Sequence, residues 1–473
     1  MHSQTDSFVG NIYSIINATQ SFLWSYLILI ALIFFTIYFS IKTNFAIFRL
    51  FKEVFIATKK NILAKPEPNN RAITPFQAFI ISMSARVGSG NLAGVAIALH
   101  LGGAGAIFWM WVISFFGAVI ALIENTLAQA YKQKNIDYKN YFFGGPAYYI
   151  LYGLKNPKLA KFVAIISILF CGIASLFIQI NTVSTSWNYA FDIPIYVLAL
   201  LLTSLTALML FGGIQLINKW LTILFSVMFC LHIFIGIYFI VINFDGVLTV
   251  LENIFLSAFG LQQFSSGFVG VAIIQGFKRG LFSNDLGIGN MPCAAAMSND
   301  KHPVNQALLQ VFGTWLDSFV ICTISAVVIL LSGANFQQSS GVQLLHDALA
   351  IDFGEFGHIM VAVMTFLFVY TTLIANYVYS ETNFLFLTKN ENSLLSYRLL
   401  CLSCVCGGAM LSVDFVWDFA DIVMGLLCIC NLYAIYKLFP KAKFLIEDYV
   451  WQRKNGIATP TWNYDITALN KIK

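Results

Sequence analysis

Residues 85–95 read ARVGSGNLAGV: a charge, two glycines flanking a serine, and an amide, inside an otherwise lipid-soluble run. Glycine weakens a helix interior by about 1 kcal/mol relative to alanine and lets the backbone leave helical angles. Unwound backbone at membrane depth is tolerated only where protein buries it or it lines a cavity. The stretch therefore predicts a membrane helix over 76–98 that breaks at Gly88–Asn91. That break decides the class of fold.

The rest of the chain fits this reading. Of 473 residues, 59% are hydrophobic and 10% charged, with a mean hydropathy of +0.77. A soluble globular surface has a different composition. Eleven stretches approach the ~20 apolar residues that cross a bilayer core of about 30 Å. They centre on 22–41, 76–98, 105–128, 160–187, 194–212, 215–242, 266–287, 305–331, 358–385, 395–412 and 416–438. The runs are continuous rather than alternating, which excludes a β-barrel. The first lacks the basic flank and small-residue cleavage site of a signal peptide, so it reads as a retained helix.

Charge sets the expected orientation. Seven of the 27 Lys and Arg lie between Lys42 and Arg71, and six between Lys132 and Lys161. Lys219, Lys301, Lys389 and Arg398 occupy the next alternate loops, and seven more run from Lys437 to Lys473. The opposite loops carry none. The positive-inside rule then places the N-terminus outside and the C-terminus in the cytoplasm, across a bacterial inner membrane. The net charge of +5 follows from these loops and implies no nucleic-acid partner. Nine cysteines lie in or beside spans; Cys401, Cys404 and Cys406 lack a matching pair to complete a zinc site and read as small packing residues.

Ionisable groups inside spans cost roughly 2.5–3.5 kcal/mol each, so they need a partner or a wet cavity. Arg86, Glu124, Lys278, Arg279, Asp285 and Asp317 are the candidates for buried charge or gating. Arg86 and Glu124 fall at similar depth in spans two and three, and an Arg86–Glu124 pair is expected.

Span seven is the second interrupted one, reading GFVGVAIIQGFKRGLFSNDLGIGN over 267–290. Spans two and seven each open a set of five, and an odd number of spans inverts one set relative to the other. The expected division is an N-terminus with an extra span and basic loop (1–72), a five-helix set (73–242), a second set (243–440) and a cytoplasmic tail (441–473). Two broken helices at matching places of inverted halves point to a transporter site at their interface. Half-helix amino ends would present N–H groups to a carboxylate, and freed carbonyls would bind a cation. GSGN at 88–91 and GIGN at 287–290 are similar, but the offset between the sets, about 190 residues, carries Gly88 to Lys278. The similarity is therefore read as accidental.

ARVGSGNLAGVA followed by GGAGAIFWMW resembles the alanine or glycine:cation symporters, also called sodium:alanine symporters. GGPAYYI (144–150), QIN (179–181), KRGLFSNDLGIGNMP (278–292), HPVNQ (302–306) and YTTLIANYVYSE (370–381) extend the resemblance from residue 74 to about 440. It implies an all-α membrane protein of eleven transmembrane helices: one extra helix, then a LeuT-type five-plus-five inverted repeat with two discontinuous helices. It also implies uptake of a small neutral amino acid coupled to Na⁺, by alternating access and with no organic cofactor. By the resemblance, Gly88, Ser89, Gly90 and Asn91 hold the substrate, with Gln179, Asn181, Thr372 and Asn376 as further contacts, and Gln275 and Gly276 contribute from the unwound part of span seven. Ser84, Val87, Thr371 and Thr372 hold Na⁺, a hard cation suited to oxygen ligands.

This chain departs from the family at Ala104 and Asp285, at Asn290 and Met291, and at Asn376, where relatives commonly carry tryptophan. Asn376 shares a helix face with Thr372, so the pocket should be roomier and more polar than one built for alanine. A proton-coupled transporter of the same fold is the alternative, with Glu124 or Asp317 carrying the proton. An intramembrane enzyme would need a catalytic constellation, and neither HExxH nor GxSxG occurs. The sequence says nothing of oligomeric state.

Overall fold

The computed structural model describes residues 18–63, 73–134, 142–261, 266–388, 393–463 and 465–472. The chain is an all-α polytopic membrane protein. Among the described residues, seven helices are long and apolar enough to cross a bilayer: α1 (Ala18–Lys42), α5 (Gly105–Ala130), α7 (Pro157–Phe191), α8 (Ile195–Ile242), α12 (Pro303–Ser332), α14 (Glu355–Thr388) and α16 (Val413–Lys454). Their outer faces carry bare side chains such as Leu200, Leu208 and Phe234, about two-thirds exposed, which is the surface lipid demands.

Between them lie α2 (Phe51–Leu63), α3 (Pro75–Arg86), α4 (Gly90–Gly102), α6 (Pro146–Gly153), α9 (Phe244–Ala258) and α10 (Ser266–Asn284). Then come α11 (Met291–Ala296), α13 (Gly341–Phe353), α15 (Leu394–Gly408) and α17 (Ile466–Asn470). A two-stranded hairpin, β1 (Gln133–Lys134) and β2 (Phe142–Phe143), pairs antiparallel with Gln133 opposite Phe143. The stretch α8 comprises two helices joined at a kink and covers the fifth and sixth expected spans. It bends at Gly213, whose φ of 77° and ψ of 169° belong to no helix.

Two packing groups surround the site. Helix α5 packs chiefly against α12 and α10, and α7 chiefly against α14. Close approach in the first group comes from Gly276 and Gly280 on α10. A Cβ at Gly276 would stand 2.5 Å from the Ala106 carbonyl, and one at Gly280 2.8 Å from Ile113. Small residues four apart let membrane helices touch backbone to backbone.

The two discontinuities are well defined. Helix α3 starts at a capping box in which Thr74 and Gln77 cap each other's backbone N–H, with Pro75 at the first helical position. It ends at Arg86, and Val87 leaves helical angles (ψ 87°). The chain resumes as α4, whose first turn, Gly90–Gly94, is wound wide as a π-turn. The second break follows α10: Asp285, Gly287 and Gly289 have φ of 54°, 69° and 95°, and α11 restarts the helix.

This corrects the sequence reading of span seven. Gln275 and Gly276 lie within continuous helix, and Gly276 serves packing rather than unwinding. The break falls instead on GIGN, so the similarity dismissed as accidental marks both breaks. The offset misled because α10 runs 19 residues before its break and α3 only 12.

The ends of the broken helices meet below. Ile73 bridges Ser298, and Asn299 N–H donates to the Ile73 carbonyl at 3.2 Å. The segment after α16 folds back across this region. Trp462 N–H donates to Lys301 O at 2.9 Å, and Asn470 is bonded by Tyr131 and Lys441.

Candidate functional site

The first break is built by two amides that divert backbone donors. In a continuous helix the Gly88 N–H would bond Ser84 O, and the Ser89 N–H would bond Ala85 O. Here Asn91 Oδ1 accepts from Gly88 N at 2.9 Å. Gln179 Oε1, from α7, accepts from Ser89 N at 3.2 Å. The Ser84 carbonyl is thereby released from its helix.

Thr372 of α14 fills the gap. Its Oγ1 donates to Ser84 O at 2.8 Å and lies 3.1 Å from Val87 O and 3.0 Å from Phe368 O. Thr371 Oγ1 reaches the same Phe368 carbonyl at 3.0 Å. Five oxygens thus converge around two hydroxyl protons, and a hydroxyl donates only once. The cluster has more lone pairs than protons, it is buried, and its donors are all hard. Such a nest suits a monovalent alkali cation. Of the four residues expected there, Ser84, Val87 and Thr372 meet directly, whereas the Thr371 hydroxyl bonds carbonyls of its own helix, Leu367 O at 2.9 Å and Phe368 O at 3.0 Å. The Phe368 carbonyl was missed, although it lies one turn before Thr372 and helical spacing alone points to it.

Asn91 also links the two breaks. Its Nδ2 donates to Asp317 Oδ1 at 2.6 Å and to Ser283 Oγ at 3.2 Å. Ser283 in turn donates to the other oxygen of Asp317. Ser283 sits in the last turn of α10, and Asp317 opens a π-turn over Asp317–Cys322. π-Turns collect at functional positions; here one turns a carboxylate toward both discontinuous helices. Gly90 lies under Phe282, whose ring would be 2.9 Å from a Cβ. The buried Ser89 hydroxyl has no partner among the described residues.

The second break has its own brace. Glu124 Oε1 accepts from Gly287 N at 3.3 Å, and Oε2 from Asn431 Nδ2 at 2.8 Å. Asn431 also donates to Gly287 O at 2.9 Å and accepts from the Tyr149 hydroxyl. Asp285 accepts from Asn290, and Asn290 from Cys171 of α7.

The expected Arg86–Glu124 pair is absent, because each side chain is satisfied elsewhere. Arg86 Nη2 donates to Gln310 Oε1 at 3.0 Å and Nη1 to Thr314 at 3.2 Å, with the sulfurs of Met83 and Met291 completing its bed. Gly313 makes room: a Cβ there would stand 2.3 Å from Nη2.

Three further expected contacts turn away from the first break. Asn181 donates to the Leu411 carbonyl at 2.7 Å, closing the end of α15. Asn376 donates to the Thr372 carbonyl in its own helix at 3.0 Å. Gln275 faces Gly102 at the far end of α4. Lys278 and Arg279 form a separate buried cluster on Asp421, at 2.5 and 3.4 Å.

Comparison with known proteins agrees with this architecture. The sodium:alanine symporter family model matches residues 9–463. The chain is 39% identical to the Bacillus subtilis protein named "Probable sodium/glutamine symporter GlnT", covering 93% of this chain and 91% of that one. It is 32% identical to "Sodium/alanine symporter AgcS" of Methanococcus maripaludis, covering 90% and 94%. In structure it resembles an Eremococcus coleocola manganese transporter, with a TM-score of 0.51, 11% identity and 86% of each chain covered. That likeness speaks to fold alone. By sequence and by architecture, the chain is a membrane transporter, not an enzyme, and belongs to the sodium:alanine symporter family.

Proposed function

We propose that the protein couples Na⁺ entry to uptake of a neutral amino acid by alternating access, with a LeuT-type arrangement of two inverted five-helix halves, 73–242 and 243–440. The observation that supports this is the Thr372 nest, where carbonyls freed by the first break meet the Thr372 hydroxyl. Na⁺ is a substrate here, held by Ser84, Val87, Phe368, Thr371 and Thr372. Its arrival would draw α14 onto the broken helix. The amino acid's carboxylate would take the Ser89 and Gly90 amides, displacing Gln179 from Ser89 N–H.

On this reading the N-terminus is outside, the tail 441–473 is cytoplasmic, and the protein resides in a bacterial inner membrane. Alanine and glycine are the first candidates. The relative named for glutamine makes that amide a natural member of the test panel.

The test is uptake of labelled alanine, glycine, glutamine and leucine into proteoliposomes, with and without an inward Na⁺ gradient. Sodium-driven accumulation is expected. Accumulation that ignores Na⁺ and follows a proton gradient would overturn the coupling.

A further inference from the structure

Arg279 is a buried guanidinium with most of its donors idle. Its Nη2 donates to Asp421 Oδ2 at 3.4 Å, a long bond, while Nε and Nη1 have no partner among the described residues. The side chain is only 5% exposed. Asp421 is already claimed on the same oxygen by Lys278 at 2.5 Å and by Gln20 at 3.1 Å. Two cations therefore share one carboxylate oxygen at ion-pair distance, while Asp421 Oδ1 has no partner among the described residues. Asp418, one turn earlier, is half-buried and makes no ion pair with either among the described residues. Buried donors left unmatched are costly, and a guanidinium is built to meet a carboxylate.

The position of these donors is telling. The guanidinium lies 4.7 Å over the Trp417 ring, and Trp417 packs on Phe282 at 5.1 Å. Phe282 in turn covers Gly90. Gly94 is bare against both Trp417 and Arg279, at 3.8 and 4.0 Å from a Cβ. Arg279, Trp417 and Phe282 thus line one side of the half-helix that begins at the first break. The Arg279 side chain meets α4 through its Cδ at Gly94, about one helical turn after the Ser89–Gly90 amides. The inner amide at Ser89 is occupied by Gln179, whereas the Arg279 donors are unmatched.

We propose that Arg279 is a second carboxylate station, which receives the α-carboxylate of the incoming amino acid before the break amides take it. Trp417 backs the guanidinium from one side, at 4.7 Å. The proposal rests on the amino-acid reading above and adds a residue and an order of events to it.

The test uses the full chain in nanodiscs and proteoliposomes. Binding is read from the part of the tryptophan fluorescence that Trp417→Phe removes, and transport from KM and Vmax of uptake. Alanine or glutamine is expected to change that fluorescence, and their α-amides, lacking a carboxylate, are not. Arg279→Gln should raise KM by ~10-fold or more with Vmax little changed, and abolish the fluorescence response. Arg279→Lys, which keeps the charge, should fall between. An intact fluorescence response in Arg279→Gln, or a loss confined to Vmax, overturns the proposal. If Arg279→Gln does not fold, Arg279→Lys with unchanged KM and response does the same. Wild-type protein that shows no sodium-driven uptake would sink the transport reading instead, and the α-amide comparison would still decide the carboxylate station.

Discussion

Gly88 and Thr372 touch so closely that position 88 admits no side chain: a Cβ there would stand 2.2 Å from Thr372 Oγ1. The contact joins the unwound backbone of one helix to the hydroxyl of another. Thr372→Ala is expected to raise the Na⁺ concentration for half-maximal uptake by ~10-fold, the worth of one charge-assisted oxygen contact. Thr372→Ser should stay near wild type, and Gly88→Ala should be worse than either because it pushes α14 off the break. Sodium titrations of uptake check the series. An unchanged sodium dependence in Thr372→Ala would remove the residue from the site.

Asn91 makes three bonds that hold both breaks. Asn91→Ala leaves Asp317 and the Gly88 N–H to find other partners, and each buried group stranded costs about 1–3 kcal/mol. A clear fall in melting temperature is expected, together with weaker Na⁺ stabilisation. Scanning fluorimetry across a sodium series measures both.

Glu124 braces Gly287 together with Asn431. A double-mutant cycle of Glu124→Gln with Asn431→Ala should show coupling of about 0.5–3 kcal/mol. The cycle of Glu124→Gln with Arg86→Met should be nearly additive, within about 0.5 kcal/mol. Charge reversal of both Arg86 and Glu124 should rescue neither single variant. Rescue would show that the two form a pair after all.

His302 caps α12 outside the spans. Its Nδ1 accepts from Val304 N at 3.2 Å, and Nε2 lies 3.1 Å from Asp448. Burial lowers its pKa from the ordinary 6.5, more than Asp448 raises it. The unfolded chain therefore binds the proton more readily. Stability is complete above about pH 6.5 and declines as pH falls through the lower folded value. Melting temperatures from pH 7.5 to 5 should drop more in wild type than in His302→Asn. Parallel curves would acquit His302.

Much of this was legible in the residues. ARVGSGN named the first break because glycine, serine and asparagine have few reasons to meet inside an apolar run. YTT named the hydroxyls only through the resemblance of YTTLIANYVYSE to the symporter family, since consecutive helical residues do not share a face. What escaped was set by partners remote in sequence. Asn431 and Gln310 lie 307 and 224 residues from the groups they satisfy, and no local pattern announces them. Gly276 misled because glycine for packing and glycine for unwinding are the same letter. Only the neighbouring Ala106 carbonyl tells them apart.

The backbone bond from Trp462 to Lys301 offers a ruler. Lys301 sits in the linker between α11 and α12, while Ala458 belongs to the returning segment, and both are exposed. Spin labels at 301 and 458 would lie on opposite sides of a seam that any separation of α11 from the tail must open. Their distance distribution, recorded with and without sodium, would report that motion directly on frozen protein, with no cargo and no flux required.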